Sequence, residues 1–252
     1  MEPVYTPVIW VARALFAAQG LDFTVTGGQN VPTRGGGVLV INHLGYFDFA
    51  YAGLAALPSQ RRVRFMAKDA VFANRFSGPL MRGMHHIPVD RTAGAASFRA
   101  AVSALKAGEI VGVFPEATIS RSFELKAFKS GAVRMAQAAG VPVLPMIIWG
   151  SQRVWTKGHS LRLGRQRVPI TLSVGEPILA GRTDNPDDIS AAVRARMTDL
   201  LHAAQEVYPA LPAGERTYLP ARLGGSAPTL EQASVLDEQD AARRAARRAA
   251  AG

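Results

Sequence analysis

The stretch VLVINHLGYFDF, residues 38–49, decides the fold. Val38 to Ile41 is a short unbroken apolar run, the pattern of a strand buried in a sheet, and from Asp48 to Leu57 the chain reads as a helix. Strand-to-helix junctions are where open α/β sheets assemble their sites. His43 and Asp48 both fall at this junction. Five positions along a regular helix would hold two side chains roughly 140° apart, so the pair can meet only if His43 lies in the turn and Asp48 in the first helical stretch.

The spacing is not informative without that placement. His85 and Asp90 have the same separation in HHIPVD, but Pro88 between them removes a backbone donor and marks a strand edge or turn rather than a helix start. Taken alone, the first pair is either a catalytic base with its orienting acid or a histidine hydrogen-bonded for structure.

Outward from this junction the chain alternates strand and helix. Strands are expected at residues 21–26, 38–41, 62–67, 86–89, 110–114, 141–149 and 168–174, and helices at 48–57, 70–84, 95–107, 127–139 and 189–207. Such alternation predicts an α/β fold: a single domain whose mixed, mostly parallel central sheet is flanked by helices, preceded by an N-terminal amphipathic helix. The domain is expected over residues 21–210. Residues 211–252, rich in Ala and Arg, read as a tail that is largely disordered or helical.

A chain of 252 residues with 48% hydrophobic content can bury a full core. It contains no cysteine, which excludes disulfides, thiolate metal sites and a cysteine-bound acyl intermediate. The five histidines show no ligand spacing, so no metal is expected. Residues 221–252 carry five arginines against four acids, so +9 of the net charge of +10 belongs to residues 1–220. It concentrates at Arg61, Arg62, Arg64 and Lys68, at Arg121, Lys126, Lys129 and Arg134, and at Arg153, Lys157, Arg162, Arg165 and Arg167. Such stretches attract polyanions of any kind.

Within residues 1–20, Val8, Val11, Ala12, Leu15 and Phe16 form an apolar stripe, with Ile9 and Trp10 beside it. About fifteen residues at ~1.5 Å each fall short of the ~30 Å hydrocarbon layer. The helix therefore either lies in a membrane interface or packs on the domain's own core. The flanks do not fit a secretory signal.

Four blocks occur in one order: NHLGYFD at 42–48, FMAK at 65–68 with IPVDR at 87–91, FPEATIS at 114–120, and VPVLPM at 141–146. Together they resemble the lysophosphatidate (1-acylglycerol-3-phosphate) acyltransferases of phospholipid synthesis, over roughly residues 20–180. The resemblance implies a glycerolphosphate-acyltransferase-like fold and transfer of a fatty acyl group from acyl-CoA or acyl carrier protein to a lysophosphatidate-type acceptor. It implies an anionic membrane surface as partner, with the enzyme peripheral or monotopic on the cytoplasmic face of the cell membrane. No cofactor beyond the acyl-CoA co-substrate, no metal and no nucleic acid are implied.

The reaction type fits the residues independently. An alcohol attacking a thioester must lose its proton as the bond forms, which a neutral imidazole can accept, and a buried carboxylate can hold and stabilise that imidazole. His43 and Asp48 are the candidates for these roles. The thioester is already activated, so no protein nucleophile is required. Backbone N–H groups around Leu44 to Tyr46 are expected to meet the tetrahedral oxygen. By resemblance, Lys68 and Arg91 hold the acceptor phosphate and Glu116 shapes its pocket, with Thr118, Ser120 and Arg121 completing the substrate-binding set.

The third block departs from the usual FPEGTRS, with Ala117 in place of glycine and Ile119 in place of the phosphate-holding arginine. An apolar side chain does not replace a bidentate guanidinium. Arg121 is the nearest substitute, with Lys126 and Lys129 behind it. The change keeps two rivals open: a related O-acyltransferase using glycerol 3-phosphate or a glycolipid, and a non-catalytic module that binds anionic lipid or nucleic acid. VPVLPM reads as core packing, an edge strand or the wall of an acyl tunnel. Trp155, in the third basic stretch, suits a headgroup layer, the phosphates of coenzyme A or a solvated loop.

Overall fold

In a computed structural model that describes residues 2–90, 94–162 and 164–249, the chain forms one seven-stranded sheet with helices on both faces. In chain order the elements are α1 (Tyr5–Gln19), β1 (Asp22–Thr26), β2 (Gly37–Ile41), α2 (Asp48–Ala55), β3 (Val63–Lys68), α3 (Asp69–Ala73), α4 (Ser77–Gly83) and β4 (Ile87–Val89). They continue with α5 (Gly94–Lys106), β5 (Ile110–Val113), α6 (Gly131–Ala139), β6 (Val143–Trp149), β7 (Pro169–Val174), α7 (Pro186–Glu206) and α8 (Leu230–Ala249). The strand order is β1-β7-β6-β2-β5-β3-β4, with β6 and β7 antiparallel and every other neighbouring pair parallel. The mixed, mostly parallel sheet expected from the sequence is the sheet that forms.

The unbroken apolar runs follow from burial on both faces. Val38 and Val40 of β2 pack with α5, α6 and α7, whereas Leu39 and Ile41 pack with Phe16 of α1 and Tyr51, Ala52 and Ala55 of α2. In β6, Val143 and Ile147 divide from Leu144, Met146 and Ile148 in the same way. At about 25 cal/mol per Å² of apolar surface, these two layers carry most of the stabilisation.

β6 is not an edge strand, despite Pro145 within it and Pro142 just before it. Successive residues of a strand direct their N–H and C=O groups to opposite neighbours, and Val143 directs both of its own to Ile178, on the β7 side. Pro145 therefore faces the same side, where its carbonyl accepts from Gly175 N at 2.8 Å and where the ladder to β7 begins only at Met146. The missing donor falls where the partner chain turns away.

One other expectation changes. α1 turns Tyr5, Ala12 and Phe16 toward the body and leaves Trp10 (71% exposed), Val11 and Leu15 outside, so the predicted stripe is rotated by about one position. Within the tail, for which the sequence leaves both a disordered and a helical state open, α8 forms behind a reciprocal cap: Thr229 and Gln232 each accept through a side-chain oxygen from the other's backbone N–H, at 3.2 and 3.0 Å. Among the described residues, no helix is long and apolar enough to cross a membrane.

Candidate active site

The C-terminal ends of β2, β3, β4, β5 and β6 share one edge of the sheet. The chain leaves β2 through Asn42, which is completely buried and clamps Ile148 of β6 by two bonds, Nδ2 to its carbonyl at 3.0 Å and Oδ1 from its N–H at 2.7 Å. That clamp fixes where the next residue, His43, begins.

Asp48 closes the turn. Its Oδ2 accepts from Leu44 N at 2.6 Å and Gly45 N at 2.8 Å and meets His43 Nδ1 at 3.0 Å. Placed at the first position of α2, the carboxylate also lies where the helix dipole favours negative charge. Asp48 is fully buried, whereas the His43 side chain is 21% exposed. The carboxylate requires a hydrogen on Nδ1, so the neutral ring keeps the Nε2 lone pair as its acceptor. Gly45 is needed because a Cβ there would lie 2.9 Å from Trp155 O and 3.0 Å from Ser151 O.

Glu116 braces the other side. Oε1 accepts from His43 N at 3.1 Å and Oε2 from Lys126 N at 3.2 Å, so one carboxyl joins the β2 turn to the loop after β5. Burial pushes its pKa up to about 7, against the pull of these two donors. The same loop returns at Ser120, whose N–H donates to His43 O at 2.7 Å. Phe114 stacks on the His43 ring with centroids 4.3 Å apart and planes 29° apart. A third loop closes the arrangement: Thr156 Oγ1 donates to Leu44 O at 2.5 Å, Tyr46 N donates to Trp155 O at 3.0 Å, and the Trp155 and Tyr46 rings meet tilted, with centroids 4.4 Å apart.

The sequence-derived set divides accordingly. His43, Asp48 and Glu116 come together. Lys68 lies exposed at the end of β3 on the same edge, and Arg91 falls outside the described residues. Thr118 is half-buried, but Ser120 is fully buried and its hydroxyl donates to Glu124 O at 2.8 Å, so its visible role is to hold the loop. Arg121 is paired with Asp237 and Asp240 of α8. Ile119 is buried, so its side chain does not substitute for a charged contact.

The expected oxyanion donors are a correction. Leu44 N and Gly45 N are bound to Asp48 and Tyr46 N to Trp155, because the turn needs those bonds to hold its shape. Sequence reasoning also missed Phe114 and Thr156. Phe114 stands in a block already singled out, but Thr156 is 112 positions from its partner and carries no local signal. Among the described residues, no group of three or more His, Asp or Glu is placed to hold a metal ion.

The acyltransferase family model matches residues 22–149, half of the chain, from β1 through β6. The chain belongs to the acyltransferase family. It is 34% identical over 154 residues to the 1-acyl-sn-glycerol-3-phosphate acyltransferase of Bacillus subtilis, covering 60% of this chain and 70% of that protein. It is 30% identical over 176 residues to the enzyme of the same name from Limnanthes douglasii, covering 68% of this chain and 57% of that one. The solved structure of the 1-acyl-sn-glycerophosphate (LPA) acyltransferase PlsC from Thermotoga maritima superposes with a TM-score of 0.68 over 81% of each chain, at 21% identity. That likeness concerns the acyltransferase fold.

Proposed function

We propose that this acyltransferase moves a fatty acyl group from acyl-CoA to the free hydroxyl of a 1-acylglycerol 3-phosphate, making phosphatidate for phospholipid synthesis. The observation that carries the reading is the 3.0 Å contact between His43 Nδ1 and the buried Asp48, with the ring partly open at the edge where five parallel strands end. His43 Nε2 takes the hydroxyl proton as the oxygen bonds to the thioester carbonyl. The C–S bond then breaks, and the imidazolium returns the proton to the departing thiolate. Asp48 stabilises the cation that exists between these events. No resident cofactor enters the scheme. The outward apolar residues of α1 and the basic body suit an anionic membrane surface approached from the cytoplasmic side.

The test is acyl transfer by the purified protein to sn-1 and sn-2 lysophosphatidate, with acyl-CoA and acyl carrier protein offered as separate donors. His43→Ala is expected to lower kcat roughly 10²–10⁴-fold while leaving the melting curve in place. Transfer at the wild-type rate in that variant would remove the base from the scheme.

One observation favours a second acceptor. Ile119 is buried where the resemblance expects a phosphate-holding arginine, and Arg121 is paired within the chain. On this reading a glycolipid, which presents no phosphate monoester, is the acceptor, and a panel that also includes glycerol 3-phosphate separates the readings by kcat/KM.

A further inference from the structure

Three cations stand on the two loops that brace His43. Arg121 follows Ser120, whose N–H holds the His43 carbonyl, and Lys126 donates its backbone N–H to the same Glu116 that anchors His43 N. Lys157 follows Thr156, which holds the Leu44 carbonyl. All three converge on α8. Asp237 lies 2.6 Å from Lys126 Nζ, 2.5 Å from Lys157 Nζ and 3.5 Å from Arg121 Nε. Asp240 lies 2.6 Å from Arg121 Nη2 and 3.3 Å from Lys157 Nζ.

The attachment of α8 is electrostatic rather than apolar. The stripe it turns to the body is Ala233, Asp237 and Asp240, at i, i+4 and i+7, and among the described residues of the helix only Ala233 is a buried apolar one. Leu230, Val235 and Leu236 are exposed. A helix that buries so little apolar surface is marginal alone, and ion pairs this close to solvent are weakened by salt and by competing anions. Two carboxylates against three cations reproduce the charge and the oxygen array of a bound phosphate monoester.

We propose that Arg121, Lys126 and Lys157 form a phosphomonoester site beside His43, and that α8 shuts it with Asp237 and Asp240 until a phosphate displaces them. The inference rests on the acyl-transfer reading for its place in catalysis, but the site and its cover stand on the contacts themselves. It also supplies the cations that Ile119 does not.

A latch closed nine-tenths of the time raises the apparent KM for the phosphorylated acceptor about tenfold. Asp237→Asn/Asp240→Asn in the full chain is therefore expected to lower KM for lysophosphatidate about tenfold, with KM for acyl-CoA unchanged. An unchanged KM for lysophosphatidate overturns the proposal. Hydrogen exchange in residues 230–249 of the unmodified protein tests it without activity, so failure of the enzymatic reading is distinguishable. Exchange there is expected to quicken with glycerol 3-phosphate, a free phosphomonoester, or with vesicles containing phosphatidate, and not with phosphatidylcholine vesicles. Quickening in either phosphate arm supports the latch and identifies the source. Indifference to both, or equal quickening with phosphatidylcholine, overturns it.

Discussion

His43 and Asp48 are separated by five positions, as are His85 and Asp90, yet the two spacings lead to different structures. Between His43 and Asp48 the chain turns from β2 into α2, and the carboxylate reaches back to 3.0 Å from the ring. Between His85 and Asp90 it runs straight through β4, and at ~3.3 Å per residue five extended positions span roughly 16 Å. His85 is exposed, and the histidine used in that segment is its neighbour: His86 is buried and its Nδ1 accepts from Phe65 N at 3.1 Å. The same two residue types at the same spacing thus meet or stand apart according to what backbone lies between them.

The largest expected effect separates the two acids. All three bonds to Asp48 converge on one oxygen, so an asparagine can put its amide oxygen there and keep the turn, while its amide N–H group takes the place of the other oxygen, which is buried without a partner among the described residues. Asp48→Asn is expected to lower kcat roughly 10²–10³-fold in protein that remains folded at the assay temperature, with a stability loss of about 1–3 kcal/mol from the unpaired amide. Asp90→Asn is expected to stay within about twofold. An equal loss in both variants, measured under saturating substrate, would erase the distinction between the pairs.

The buried groups beside each pair titrate in opposite senses. Burial, assisted by the nearby Arg64 charge, holds His86 down at about 4, below its ordinary 6.5. Between those values the unfolded chain binds more protons, so this group's contribution to stability is lost as pH falls from 6.5 toward 4, about 3 kcal/mol in all. Glu116 is raised from 4.5 to about 7, so its contribution is largest below pH 4.5 and declines as pH rises toward 7. From pH 4.5 to 6.5 the two slopes oppose each other. Urea unfolding across that window should show His86→Gln less stable at the high end than at the low end, and Glu116→Gln the reverse. Parallel slopes in the two variants would contradict the assignments.

Glu116→Gln should also slow the reaction. Each carboxyl oxygen accepts one N–H, and an amide offers only one acceptor, so either His43 N or Lys126 N loses its partner. The cost of a buried unpaired donor, ~1–3 kcal/mol, sets the expectation at about a tenfold fall in kcat, read alongside the change in unfolding free energy. A change in stability with kcat untouched would confine Glu116 to the scaffold.

The parts legible in the sequence were those fixed by short-range patterning. Apolar runs such as Val38 to Ile41 located the strands, and the strand-to-helix placement distinguished one His–Asp pair from the other. What escaped depends on partners distant in sequence. Arg64 and Arg153 counted as surface charge, yet both are buried in ion pairs with Glu2, Glu109 and Glu215. The N–H groups of residues 44–46 are taken by Asp48 and by Trp155, the latter more than a hundred positions away. Pro145 suggested an edge because the side its missing donor faces depends on sheet order. The T-x-x-Q cap of α8 at Thr229 and Gln232 is a local signal, overlooked beneath the tail's composition.

The smallest effect lies next to Glu116. Ala117 has φ 61°, in the left-handed region, while its N–H donates to Phe114 O at 3.1 Å in the turn that delivers Glu116 to His43. The usual glycine of this block adopts that conformation without a Cβ clash, whereas a left-handed alanine costs roughly 1–2 kcal/mol. Glycine also loses more freedom on folding, by about 0.5–1 kcal/mol, so most of the gain cancels. Ala117→Gly is therefore expected to stabilise the protein by ~0.5 kcal/mol in urea unfolding, with kcat within about twofold. A loss of stability beyond 1 kcal/mol would mean that the alanine methyl contributes packing that outweighs its backbone strain.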